Sequence, residues 1–179
     1  MKEIALLLDK SGSMTNLQKT TVKAVNNFIC EQKSIHPKQR LSLIQFNEKQ
    51  SWTYEYQKLK DIPAFEYKDY QPSGLTTIYD TLGDVIKKYE NNNTEVTIAL
   101  LTDGYENASQ KFIAKNIRKK IKQLEKDKKW KFIYLGADES KFLDAEILGI
   151  SKQNTIQIEA SEKGIPIAFS LIQKKISEV

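Results

Sequence analysis

Two aspartates stand where a buried strand has no use for a charge. One is Asp9 in "EIALLLDKSGSM", where the apolar run Ile4 to Leu8 ends at a carboxylate followed closely by Ser11 and Ser13. The other is Asp103 in "VTIALLTDG". Burying a carboxylate without a partner costs several kcal/mol, so solvent or a cation must take its charge. Two carboxylates brought together repel, and something positive has to hold them. The other donors in reach are hydroxyls: Ser11, Ser13, and Thr76 or Thr77 in "SGLTTIYDTL". Gly12 and Gly74 are placed to let the backbone turn tightly and point those hydroxyls back at the carboxylates. An all-oxygen set with few charges suits magnesium, with manganese or calcium as alternatives, rather than zinc or copper. Each piece alone has an ordinary reading: Thr as a helix cap, and Asp9, Ser11 and Ser13 as a capped turn. Their conjunction with Asp103 is what points to a metal.

The elements that must hold these residues can be read from periodicity. Ile4 to Leu8 is a continuous apolar run, the pattern of a strand buried on both faces of a parallel sheet, and "LSLIQF", "VTIALL" and "WKFIYLG" read as further strands. "SWTYEYQ" alternates Trp52, Tyr54 and Tyr56 with polar residues, which predicts an edge strand covered on one face and paired as a hairpin with "LSLIQF". "NTIQIE" predicts a last short strand. A helix capped by Thr15 or Asn16 runs to about Lys33, with Val22, Val25, Phe28 and Ile29 inward and Cys30 packed beside them. A second carries Ile78, Leu82, Val85, Ile86 and Tyr89 on one stripe and ends at "NNN". A third runs from about Gln110 to Lys128 with Ile113, Ile117, Ile121 and Leu124 inward. "SKFLDAEILG" is a short helix with a glycine stop. The last, "GIPIAFSLIQKKI", has Pro166 in its first turn and Ile165, Phe169, Ile172 and Ile176 inward. Strands alternating with helices predict an α/β fold: a doubly wound, mostly parallel sheet with one antiparallel edge strand and helices on both faces. Ligands in such folds bind beyond the carboxyl ends of the strands, where Asp9 and Asp103 stand.

The 179 residues suit a single domain over 1–179, 40% apolar and 28% charged, which is globular rather than disordered. No apolar run approaches the roughly 20 residues that span a bilayer. "IALLL" is too short, and too soon interrupted by charge, for a signal peptide. The single cysteine cannot form an internal disulfide, so a reducing, cytoplasmic setting is expected. The net charge of +5 is weak evidence for nucleic acid, because 23 acidic residues accompany 28 basic ones. His36, before Pro37, reads as an exposed loop residue.

"LLLDKSGSM" resembles the D-x-S-x-S motif of von Willebrand factor type A domains. "GLTTIYDTL" resembles that family's G-x-T-x-x-x-x-x-L segment, and "LLTDG" its third signature. Order and spacing fit, and the implied domain covers the whole chain. "WKFIYLGADESKFLDAEILGI" is also similar to a stretch in small single-domain bacterial and phage members, relatives of tellurium-resistance proteins. The resemblance implies a metal-ion-dependent adhesion site. Ser11 and Ser13 would bind the ion directly, Thr76 directly or through water, and Asp9 and Asp103 directly or through bridging waters. Thr76 matches better than Thr77 because it stands two residues after Gly74. Lys10 fills a variable position, its side chain expected in solvent. The last helix, around Ile165 to Ile176, is a segment that the resemblance lets shift with occupancy.

The function expected is metal-dependent protein binding, in which Mg2+ bridges the domain and a Glu or Asp of a partner. Two alternatives stand beside it. One is a Mg2+-dependent phosphoryl-transfer or hydrolase enzyme, since strand-tip aspartates serve such chemistry. No nucleotide-binding glycine loop is present, and no Ser–His–Asp arrangement is available to a lone His36, so no enzyme is expected. The other is a metal-free scaffold. Lys111, Lys115, Arg118, Lys122, Lys126 and Lys129 recur every three or four residues, a solvated helix face or a docking strip for an acidic partner or nucleic acid. Tyr67 and Tyr70 are left open between core and binding rim.

Overall fold

The computed structural model describes residues 2–91, 94–136 and 140–178, and the side chains of 140–142 are not described. The apolar runs form β1 (Lys2–Asp9), β2 (Arg40–Phe46), β4 (Glu95–Thr102) and β5 (Lys131–Gly136). β3 (Gln50–Lys58) and β6 (Thr155–Gln157) complete one sheet in the order β3-β2-β1-β4-β5-β6. β3 runs antiparallel to β2, and every other pairing is parallel. The chain builds outward from β1 in one direction, then returns to β4 and builds in the other. The crevice between the carboxyl ends of β1 and β4 is therefore the topological switch point. Leu8 pairs with Leu101, so Asp9 lies beside Thr102 and Asp103 follows at once.

Helices cover both faces because both faces are apolar. α1 (Gln18–Ile35) and α5 (Gly164–Ser177) lie on one side with the irregular segment that buries Leu59, Ile62, Phe65 and Tyr70. α2 (Ile78–Tyr89), α3 (Ala114–Lys128) and α4 (Ser140–Leu148) lie on the other. Val25, Phe28, Leu82, Val85, Ile121, Phe169 and Ile172 are all buried as their spacing predicts. Gly149, in the left-handed conformation (φ 80°), stops α4. Pro166 does sit in the first turn of α5. The predicted stop at "NNN" falls partly on 92–93, and the stretch from Trp130 to Ile150 includes 137–139, outside the described residues.

Four local expectations are corrected. A 3-10 turn over Gly12–Leu17 precedes α1, so neither Thr15 nor Asn16 caps it and Leu17 stands at the cap; Thr15 Oγ1 donates to Gly12 O within that turn. Gly12 has no left-handed φ, and only Gly74 (φ 75°) supplies the turning freedom expected of the pair. Cys30 is exposed, because it lies well round the helix from Phe28 and Ile29. β3 does not keep one aromatic face. Its register shifts twice against β2, between Leu41 and Leu43 and between Leu43 and Ile44. Each extra residue reverses the facing of the residues beyond it, so Tyr54 joins the α1 side while Trp52 and Tyr56 join the α2 side.

Candidate metal centre

Three loops build the site, and backbone hydrogen bonds join them before any side chain matters. The loop after β1 is tied to the loop before α2, since Gly12 N–H donates to Gly74 O (3.0 Å) and Ser73 N–H to Lys10 O (2.8 Å). The loop after β4 is tied to the same place. Asn107 N–H donates to Thr76 O (3.1 Å), and Thr76 N–H to Asn107 Oδ1 (2.9 Å). The sequence separations are long, but the switch-point topology makes the three loops neighbours.

Within that frame Asp9 is fully buried. Its Oδ1 accepts from Ser11 N–H (2.7 Å) and its Oδ2 from Thr102 Oγ1 (2.5 Å). Ser11 Oγ and Ser13 Oγ share a hydrogen bond of 3.1 Å, and Ser13 Oγ donates to Asp103 Oδ1 (2.6 Å). Burial pushes the Asp9 carboxyl above the usual carboxylate range. The hydrogen bonds from Thr102 and Ser11 pull it back, and the charge of Asp103 raises it again. An added positive charge beside Asp9 and Asp103 would favour their ionised forms.

Gly104 shows how the oxygens converge. A Cβ placed on it would lie 2.6 Å from Thr76 Oγ1, 3.2 Å from Asp9 Oδ2 and 3.3 Å from Ser11 Oγ. Three of the five expected donors therefore face one small volume. Ser13 and Asp103 join them through the Ser11–Ser13–Asp103 chain of hydrogen bonds. Thr76 is buried in this cradle, whereas Thr77 donates its hydroxyl away to Asn47 O. Among the described residues no three His, Cys, Asp or Glu side chains converge as a metal cluster. The donor set is instead two carboxylates and three hydroxyls, which fits a hard divalent cation and does not fit zinc or copper. Lys10, expected in solvent, is half-buried.

Several supports were invisible in the sequence. Tyr70 is fully buried and donates its hydroxyl to Asp9 O (2.5 Å), which places it in the core rather than on a rim; Tyr67 is exposed. Asp80 accepts from the backbone N–H groups of Gln110, Lys111 and Phe112 at 2.8–2.9 Å. Glu106 accepts from Tyr79 N–H and from Ala108 and Ser109 N–H. These two carboxylates lock the start of α2 to the loop after β4. Asp80 also holds 110–112 out of helical conformation, so α3 begins at Ala114 and Ile113 is exposed, not inward.

The basic stripe is only partly continuous. Lys115, Arg118, Lys122 and Lys126 share α3, with Arg118 donating to the backbone oxygens of Glu146 and Ile147 at the end of α4. Lys111 precedes the helix and pairs with Asp84 (2.9 Å). Lys129 follows it in the left-handed conformation. His36 is exposed after α1, ahead of β2 and so at the opposite end of the sheet from Asp9. Among the described residues no helix is long and apolar enough to cross a membrane.

The family model for the von Willebrand factor type A domain matches residues 3–163. No curated protein matches the sequence. Solved structures share the fold. Proximal thread matrix protein 1 from the mussel byssus superposes with a TM-score of 0.70 at 16% identity, over 97% of this chain and 45% of that one. A mutant of the PilB minor pilin from Streptococcus sanguinis gives 0.68 at 13%, over 98% and 61%. The ArnB paralog VWA2 from Sulfolobus acidocaldarius gives 0.65 at 17%, over 92% and 43%. This chain thus spans about half the length of those proteins.

Proposed function

The chain belongs to the von Willebrand factor type A family, whose members often bind a divalent metal and mediate protein interactions, and on that premise we propose that it is a metal-dependent protein-binding domain. Ser11, Ser13 and Thr76 would hold Mg2+ with their hydroxyls, and Asp9 and Asp103 would neutralise it directly or through water. A bound ion supplies a coordination position for a carboxylate from outside, and the partner is a protein offering a Glu or Asp side chain. The observation that carries the reading is the convergence of Thr76 Oγ1, Asp9 Oδ2 and Ser11 Oγ on the space beside Gly104.

The surroundings suit a protein partner. Leu75 and Tyr105, next in sequence to Thr76 and Gly104, are 49% and 56% exposed. Covering them would exclude water from a carboxylate–metal contact, the condition under which such a contact is strong. The domain acts by binding rather than by catalysis in this reading. Asp9, the best-placed carboxylate for acid or base work, has its Oδ1 and Oδ2 engaged by Ser11 and Thr102, and the single histidine lies at the far end of the sheet.

Metal and partner must tighten one another reciprocally. Partner retention from the native cell, compared with and without chelator, tests the reading. Binding should be lost in chelator, restored by Mg2+, and lost in Ser11→Ala and Asp103→Ala. Retention that ignores both chelator and variants contradicts it, as does Mg2+-dependent phosphatase turnover abolished by Asp9→Asn.

A further inference from the structure

The flank between α2 and α3 carries a groove of about 420 Å3 that the strand-tip site does not use. Both helices descend from the loops that form that site, so the groove lies on the side of the molecule. Gly83 and Phe112 shape it. A Cβ on Gly83 would fall 2.5 Å from the Phe112 ring, so the ring rests directly on the α2 backbone. Ile86 and Ile117 lie beneath it, 1% and 2% exposed, so Phe112 is the apolar side chain the groove leaves partly open. The rim is cationic. Lys87 Nζ stands 4.7 Å from the Phe112 ring centroid, and Lys119 is exposed on α3.

Neighbouring charges show which cations are spoken for. Lys120 pairs with Glu90 (2.6 Å), Lys111 with Asp84 and Lys88 with Glu55. Lys87 and Lys119 make no ion pair among the described residues, so the groove keeps a net positive charge beside an apolar floor. We propose that this groove docks an acidic, amphipathic segment of a partner protein, with one apolar side chain against the partly exposed Phe112 ring and carboxylates meeting Lys87 and Lys119. An apolar floor with two uncompensated cations favours such a segment over nucleic acid, whose binding rests on many phosphate contacts. The site is independent of the strand-tip oxygens, so chelator leaves it intact.

Fluorescence anisotropy on the full chain tests this with a labelled amphipathic Glu/Leu peptide of about 12 residues. An all-Glu peptide of equal length and a single-stranded DNA of equal charge serve as comparators. The Glu/Leu peptide should bind best, lose affinity with salt and ignore chelator. Phe112→Ala, and the exposed double reversal Lys87→Glu with Lys119→Glu, should each weaken it about tenfold or more. Urea unfolding of the double reversal checks that its fold is intact. The proposal is overturned if the reversal leaves affinity unchanged, if the Glu/Leu peptide does not bind, or if the all-Glu peptide or the DNA binds equally well.

Discussion

Gly104 sets the room available to the strand-tip oxygens. Its backbone is not left-handed, so space alone excludes a side chain there. Gly104→Ala should therefore leave a folded protein that binds Mg2+ more weakly, by about tenfold or more, because the added methyl displaces Thr76 Oγ1. Calorimetric titration of Mg2+ into the variant checks this, and unchanged affinity would remove Gly104 from the site. Tyr70 acts by position. Tyr70→Phe takes a donor from the buried Asp9 carbonyl and should cost about 1–3 kcal/mol of stability by urea unfolding. Asp9, Asp103, Ser11 and Ser13 stood out as candidates because strand ends and local spacing mark them, whereas Thr76 was separated from Thr77 only by the family resemblance. Tyr70 and Thr102 did not stand out, since their bonds to Asp9 span 61 and 93 residues and leave no local pattern.

Strands and helices obeyed hydrophobic period wherever burial was simple. Edges and entries departed from it for physical reasons. The two bulges in β3 reverse its facing, and a period-2 reading has no means to detect an inserted residue. The start of α3 is set from another element altogether, by the Asp80 carboxylate on α2 gathering three N–H groups. Asp80→Ala should leave those donors without their acceptor and cost about 2–4 kcal/mol. It should also loosen the loop after β4 and so weaken Mg2+ binding without touching a ligand. Hydrogen exchange at 110–112, faster in the variant, would report the first effect directly.

At the scale of the molecule, one sheet with two apolar faces brings three distant loops to a single crevice. α5 closes one face outside the matched residues 3–163. Its Phe169 ring lies 5.8 Å from that of Phe28, and Ile165, Ile172 and Ile176 are buried with it. Ending the chain after residue 163 would remove all four of these side chains from the core, each contributing about 1.5–3 kcal/mol, enough to consume the stability of an ordinary domain. Such a truncation should give no cooperative thermal transition.

The most direct measurement is Mg2+ titration by calorimetry, with thermal unfolding in parallel, on the unaltered chain and on Ser11→Ala and Asp103→Ala. The unaltered chain should bind one ion and gain about 2.7 kcal/mol of stability at a hundredfold excess over its dissociation constant, while both variants lose most of the response. No binding by the unaltered chain, or equal binding by all three, would contradict the assignment of these oxygens to a metal.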